Sequence, residues 1–265
     1  MSTAVSPDAV AAAFLAVLGL LVGSFLNVVV YRVPVGKSVI RPGSSCPVCE
    51  HAVRPRDNVP VLSWLLLRGR CRDCGTPIPA RYPLVEAGCA VLFAALTLRF
   101  GVTPVLPALL FLAATGLALA LIDLDVSRLP FEISIPGLGV TAVLLTLAGL
   151  ADGWSPVAVA LLSAAAWFGL YWSLWFGTGG RGMGLGDVVL APTLGLALGW
   201  LGWGPSLVGL LGGFGIGAVV GVTLMLVGRA GRRSQIPFGP SMLAGALLGV
   251  FAGSAIWGAY LGVVG

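Results

Sequence analysis

The sequence has very few charged residues. Lys and Arg number 15 and Asp and Glu number 10, together 9% of 265 residues, whereas soluble globular domains contain about 25%. The apolar fraction is 58%, and the mean hydropathy is +1.02. So few charges cannot cover the surface of a water-soluble protein of this size. The composition excludes an ordinary soluble enzyme, a disordered chain and a nucleic-acid binder with a broad basic surface, and it indicates a polytopic membrane protein.

Most of the chain consists of long apolar stretches. A hydrocarbon core of about 30 Å requires about 20 apolar residues per helix. The breakers Gly202-Trp203-Gly204-Pro205 divide the longest stretch into two spans. We therefore predict an all-α polytopic membrane protein with about eight transmembrane helices and a small cytoplasmic insert. The predicted spans are 9–31, 83–98, 100–122, 133–151, 153–180, two within 188–228, and 234–265.

The charges are concentrated in one segment. Residues 32–82 contain nine of the 15 basic residues and three of the 10 acids. Because cytoplasmic loops of membrane proteins are rich in Lys and Arg, this segment is expected to lie in the cytoplasm. Alternating the spans from there places both termini outside and leaves Arg99 as the only basic residue on the outer side. The predicted divisions are a first transmembrane helix (1–31), a cytoplasmic insert (32–82) and a seven-helix transmembrane domain (83–265).

Four of the five cysteines form two CxxC motifs in the insert. Cys46 and Cys49 are separated by 21 residues from Cys71 and Cys74. Two such knuckles can hold Zn²⁺ between four thiolates, and Gly75 suits the tight turn after the second motif. A closed set of four thiolates predicts a structural rather than a catalytic zinc. The alternatives are redox chemistry, no metal, or disulfides, which a reducing cytoplasm disfavours.

The remaining candidate side chains of the same chemistry are His51 and Cys89. His51 is the only histidine and lies two residues after Cys49; it is expected to be a solvated loop residue rather than a substitute ligand. Cys89 is expected to pack in a helix interface. With its one histidine in the insert, the chain offers no Ser-His-Asp or Cys-His arrangement.

Two aspartates lie at span ends on the same, cytoplasmic, face. Asp123 ends the third span and Asp187 begins the sixth. An acid at a membrane boundary is either a functional group or an interfacial charge turned to water. The three glycines of 182–186 favour close backbone approach beside Asp187, although a plain N-cap has the same pattern. Asp125 is expected to point away from Asp123, toward water or Arg128.

Two carboxylates at one depth suit acid–base hydrolysis of a peptide bond. Two close carboxylates share a proton, so one can accept a proton from water while the other donates one to the substrate. This chemistry needs neither a metal nor a covalent intermediate. An ion-coupled transporter or channel could use the same acids as a relay, but neither acid lies at a span midplane. A non-enzymatic assembly factor, docking a partner through the zinc module, is the third alternative.

Several motifs occur together and in a defined order: 23–28 with 31–34, 57–63 between the CxxC pairs, 81–86, Asp123 seven residues before Pro130, 182–187, and 237–240. In these motifs the chain resembles bacterial prepilin peptidases, the type IV leader peptidases, which are membrane aspartyl proteases of the GxGD kind. The resemblance implies that Asp123 and Asp187 are catalytic. The chain departs from the family pattern at Phe131, where many members have Asp, and at Val189, where many have Lys. Neither difference removes a catalytic carboxylate.

The resemblance also implies a substrate class and a second activity. The substrates would be type IV prepilins or the related pseudopilins of type II secretion, cut at the cytoplasmic face of the plasma membrane. Many members N-methylate the new N-terminus with S-adenosylmethionine, an activity associated with the cysteine-bearing insert. No Gly-rich nucleotide loop of the soluble type occurs, so the sequence does not identify the residues that bind this methyl donor.

Overall fold

A computed structural model describes residues 6–228 and 236–264 of the chain. Within these residues the secondary structure is helical, apart from two isolated β-bridges in the insert. The helices are α1 (Pro7–Arg32), α2 (Leu62–Leu66), α3 (Arg81–Phe100), α4 (Leu106–Val126), α5 (Phe131–Asp152), α6 (Ser155–Gly177), α7 (Leu185–Trp200), α8 (Trp203–Leu226) and α9 (Gly239–Val264). The ends of the last predicted span, 234–235 and 265, lie outside the described residues.

Seven of these helices are long and apolar enough to cross a membrane: α1, α3, α4, α5, α6, α8 and α9. The eighth apolar helix, α7, has 16 residues and is about 24 Å long at about 1.5 Å per residue. The prediction of an all-α polytopic membrane protein is confirmed, with seven helices long enough to span among the described residues and α7, the eighth apolar helix, shorter than the hydrocarbon core.

One predicted boundary was wrong. The third span was expected to begin at residue 100, but α3 continues to Phe100 and α4 begins at Leu106. Gly101 ends α3 with a φ of +66°, a conformation that glycine adopts without a steric penalty. The uncharged stretch therefore contains a turn that the hydropathy pattern does not show.

Residues 6–106 form one compact unit. In it α1 packs along α3, and their backbones approach closely at Gly23, where a Cβ would lie 2.7 Å from Glu86 Cα. Small residues permit such contacts between membrane helices. The helix expected to open the 83–265 segment therefore packs in the same unit as the first helix.

The second compact unit begins at Pro107, and α7 is its most enclosed helix. Twelve of the 16 residues of α7 are buried, against α5, α6, α8 and α9. The pairing with α6 is antiparallel: Cβ atoms at Gly195 and Gly199 would lie 2.8 Å from the Cα atoms of Ala164 and Ala160, respectively. An apolar helix enclosed on all sides is a rigid support for a side chain at its end.

Candidate active site and metal centre

The four insert cysteines converge on one point. Their Sγ atoms all lie within 4.8 Å of one another. The Cys46–Cys74 and Cys49–Cys71 pairs have Sγ–Sγ distances of 3.8 and 4.0 Å. A tetrahedron with metal–sulfur bonds of about 2.3 Å has edges of about 3.8 Å. The cluster therefore has the size and the donor atoms to bind a tetrahedral metal ion.

The two CxxC loops share one backbone design. In each, the N–H of the residue after the second cysteine donates to the carbonyl oxygen of the first: Glu50 to Cys46 at 2.9 Å and Gly75 to Cys71 at 3.0 Å. Both donor residues adopt the left-handed backbone conformation, with φ of +60° at Glu50 and +72° at Gly75. Gly75 was expected to make this turn, whereas Glu50 adopts the same conformation with a side chain that disfavours it.

The surroundings of the cluster favour the thiolate at Cys74, whereas burial and the neighbouring thiols raise the pKa of Cys49 to about 12. The hydroxyl of Thr76 lies 3.2 Å from Cys74 Sγ, and this hydroxyl and the Thr76 backbone N–H lower the pKa of Cys74 to about 6. A lower pKa favours the form that binds metal. His51 is solvent-exposed, as expected, and its Nδ1 lies 3.1 Å from the carbonyl oxygen of Cys49. It is not one of the clustered ligands.

Two ion pairs brace the second knuckle. Arg72 donates from Nε and NH2 to Asp57 at 2.8 and 2.6 Å, and Arg54 pairs with Asp73 at 2.8 Å. The hydrogen bonds and charge of Arg72 lower the pKa of Asp57. These pairs connect the 54–57 turn to the residues between Cys71 and Cys74.

Asp123 and Asp187 are both buried, with exposed fractions of 4% and 7%. Asp123 lies in the last turn of α4 and Asp187 in the first turn of α7. Asp125 is solvent-exposed, which confirms the prediction that only one acid of this pair faces inward. Asp125 was expected to face water or Arg128. The Arg128 guanidinium lies 3.6 Å from a carboxylate oxygen of Glu132.

Each buried carboxylate is held by a backbone N–H. Asp123 Oδ2 accepts from Gly239 at 3.0 Å, and Asp187 Oδ2 accepts from Gly184 at 3.1 Å. Both donors lie at helix N-termini, where the partial positive charge favours an anion. Sequence reasoning identified both acids but not Gly239 as the donor to Asp123, because 116 residues separate them.

Leu129 packs against both segments that carry or hold the two carboxylates. A Cβ at Gly186 would lie 2.8 Å from Leu129 Cβ, and a Cβ at Gly239 would lie 3.2 Å from Leu129 Cδ2 and 2.8 Å from Asp123 Oδ2. The same leucine thus packs against the residue before Asp187 and against the donor to Asp123. The structure therefore brings Asp123 and Asp187 into one site.

The first unit contains a cavity of about 660 Å³ next to the cysteine cluster. Its wall includes Glu86, which is 8% exposed and whose Oε2 accepts from the Val61 N–H at 2.6 Å. Val61 has a φ of +60°, an uncommon conformation for a β-branched residue. Trp64 and Tyr82 also line the cavity. Only the 57–63 and 81–86 motifs pointed to this part of the chain before the fold was known.

Residues 17–100 match the model of the bacterial peptidase A24 N-terminal domain, and residues 110–262 match that of the type IV leader peptidase family. Among curated relatives, the prepilin leader peptidase/N-methyltransferase of Myxococcus xanthus is 43% identical over 84% of this chain and 66% of its own length. The proteins of that name from Pseudomonas putida and Stutzerimonas stutzeri are 38% and 33% identical, over 94% and 92% of this chain and 93% and 92% of theirs. No solved structure matches the chain. With its apolar helices, this multi-pass membrane protein belongs to the type IV leader peptidase family.

Proposed function

We propose that this chain removes the leader peptide of type IV prepilins or pseudopilins as a membrane aspartyl endopeptidase and N-methylates the new N-terminus. The observation that supports the peptidase most directly is the pair of buried carboxylates, Asp123 and Asp187, at two helix ends around Leu129. Family membership and the names of the relatives support both activities.

Asp123 and Asp187 are proposed as the catalytic residues. The ionised carboxylate takes a proton from a water molecule as the oxygen of that water attacks the scissile carbonyl carbon. The protonated carboxyl donates to the carbonyl oxygen, and a proton then passes to the nitrogen of the leaving amine as the C–N bond breaks. The N–H groups of Gly239 and Gly184 fix one oxygen of each carboxylate, which leaves the other oxygen of each for water and substrate.

Cleavage is proposed to take place at the cytoplasmic face. Arg128 lies five residues after Asp123 and Arg181 six residues before Asp187, and the insert is the most basic segment of the chain. Lys and Arg collect on the cytoplasmic side of membrane proteins. This assignment also keeps the cysteines of residues 32–82 in a reducing compartment.

Zn²⁺ is the proposed ion of the cysteine cluster. Four thiolates at tetrahedral spacing suit Zn²⁺ and leave no open position for catalysis, so its role would be to stabilise the insert. Metal analysis of the purified protein tests this proposal: zinc bound in a one-to-one ratio is expected, with loss in Cys46→Ser and retention in Cys89→Ser. Equal zinc in both variants would contradict it.

The methyl donor is proposed to be S-adenosylmethionine, which supplies a sulfonium methyl group to an amine. The cavity of the first unit fits a ligand of this class, because its volume is within the range of small-molecule sites, about 300–1,000 Å³. Glu86 would face the cationic part of the donor, since the other two acids of the wall, Asp57 and Asp73, are paired with arginines. The rings of Trp64 and Tyr82 would hold the adenine.

Two measurements test these proposals. The purified protein, given a prepilin and S-adenosylmethionine, should yield a mature pilin that lacks its leader and has gained the mass of one methyl group. An intact prepilin would contradict the peptidase proposal and favour the transporter or assembly-factor alternative. Equilibrium dialysis with S-adenosylmethionine should show binding that Glu86→Gln weakens and the exposed control Glu132→Gln does not. Equal binding by both variants would contradict the placement in the cavity.

A further inference from the structure

Tyr171 presents a polar atom that the fold does not satisfy. Its side chain is fully buried, with an exposed fraction of 0%. Its hydroxyl has no hydrogen-bond partner among the residues that the structure describes. Buried polar groups are almost always paired, so each of the three unpartnered hydroxyls among the described residues, on Thr141, Tyr171 and Thr193, needs a partner that those residues do not supply. The location of Tyr171 decides which partner its hydroxyl binds.

The packing of α6 against α7 places Tyr171 at the level of the proposed catalytic site. The antiparallel register matches Ala164 with Gly195. Seven residues are about two helical turns. Moving seven residues toward the C-terminal end of α6 and seven toward the N-terminal end of α7 therefore places Tyr171 opposite Val188. Val188 directly follows Asp187.

The other side of Tyr171 faces the support of Asp123. The ring centroids of Tyr171 and Phe238 are 6.4 Å apart, within the usual range for aromatic contacts. Phe238 directly precedes Gly239, whose N–H binds Asp123. Tyr171 therefore contacts, through its ring, the segment that positions one carboxylate and lies next to the helix turn that positions the other.

We propose that the Tyr171 hydroxyl donates a hydrogen bond to the carbonyl oxygen of the scissile peptide bond, an inference that rests on the proposed peptidase function. A phenolic O–H is both donor and acceptor, and the carbonyl oxygen gains negative charge as water attacks the carbon. A donor preplaced in a dry site stabilises that charge more in the transition state than in the bound substrate. No proton leaves Tyr171; the proton transfers remain with the two aspartates.

The experiment compares Tyr171→Phe with Tyr260→Phe, whose parent tyrosine is 54% exposed. Each removes one oxygen atom and keeps the ring. Leader cleavage should show kcat reduced about 10²–10³-fold in Tyr171→Phe, the effect of losing one such donor, with KM unchanged. The thermal midpoint of unfolding should stay at the wild-type value or rise, because the variant removes a buried hydroxyl that makes no hydrogen bond within the described residues.

Three results would overturn the inference. One is a kcat equal to that of Tyr260→Phe. Another is a rise in KM at unchanged kcat, which would show uniform binding of substrate rather than of the transition state. The third is a fall in the thermal midpoint in parallel with activity, which would show a structural role. Failure of the proposed function itself is distinguishable, since wild-type protein would then leave the prepilin intact.

Discussion

Gly239→Ala places one methyl group against the carboxylate of Asp123. The new Cβ would lie 2.8 Å from Asp123 Oδ2 and 3.2–3.3 Å from the two methyl carbons of Leu129. Either the carboxylate must move away from the Gly239 N–H, now 3.0 Å distant, or the start of α9 must shift. Overpacking of this kind costs about 1–3 kcal/mol, and a hydrogen bond to a charged group contributes about 1.5–3 kcal/mol.

Cleavage should therefore suffer more than folding. A displacement of a catalytic group by about 1 Å reduces rates by about 10²-fold, and a few tenths of an ångström are needed here, so we expect kcat to fall by roughly 10–100-fold. The assay is leader removal from a purified prepilin, with kcat and KM determined separately and thermal unfolding measured in the same detergent.

Gly137→Ala is the matched control for this prediction. A Cβ at Gly137, in α5, would meet no atom within 4 Å, and Ala is favoured over Gly in a helix by about 1 kcal/mol. This variant should cleave at the wild-type rate and unfold at the same or a higher temperature. Equal kcat in Gly239→Ala and Gly137→Ala would refute the argument that the Gly239 backbone positions Asp123.

Two further predictions concern the first unit. Gly23→Ala should lower the stability of this unit by roughly 1–3 kcal/mol, because the new Cβ would lie 2.7 Å from the backbone of α3. Gly88→Ala, whose Cβ would meet open space, should leave the stability unchanged. Thermal unfolding compares the two variants, and equal midpoints would count against the close α1–α3 approach. Glu50→Gly should slow metal loss to a chelator and Gly75→Ala should accelerate it, because a side chain in the left-handed conformation costs about 1–2 kcal/mol; the opposite order would contradict the matched turns.

The sequence predicted those features that depend on composition and on residues close in the chain. The scarcity of charge predicted the membrane helices, and the CxxC spacing predicted the cluster of four cysteines, whose Sγ atoms lie within 4.8 Å of one another. The two-residue offset of Asp125 from Asp123 predicted which of them turns to solvent. Each of these rests on periodicity or on spacing along a short segment.

The remaining features depend on contacts between distant segments. The N–H of Gly239 donates to Asp123, although 116 residues separate them. In the sequence Tyr171 is one of many aromatic residues, and only the fold shows that its hydroxyl is buried without a partner among the described residues. The cavity beside Glu86 forms between α1, the insert and α3, so no single motif contains it. Glu50 adopts a conformation that its residue type disfavours, because the knuckle turn requires it.

Joint action of Asp123 and Asp187 as the catalytic pair is the core of the proposed mechanism. Its most direct test is the rate of prepilin cleavage by Asp123→Asn and Asp187→Asn, with Asp125→Asn as the reference on the same helix end. Both buried-site variants should accumulate in the membrane and bind zinc but leave the prepilin uncut, while Asp125→Asn should retain most of the wild-type activity. Cleavage by Asp123→Asn together with loss of cleavage in Asp125→Asn would contradict it.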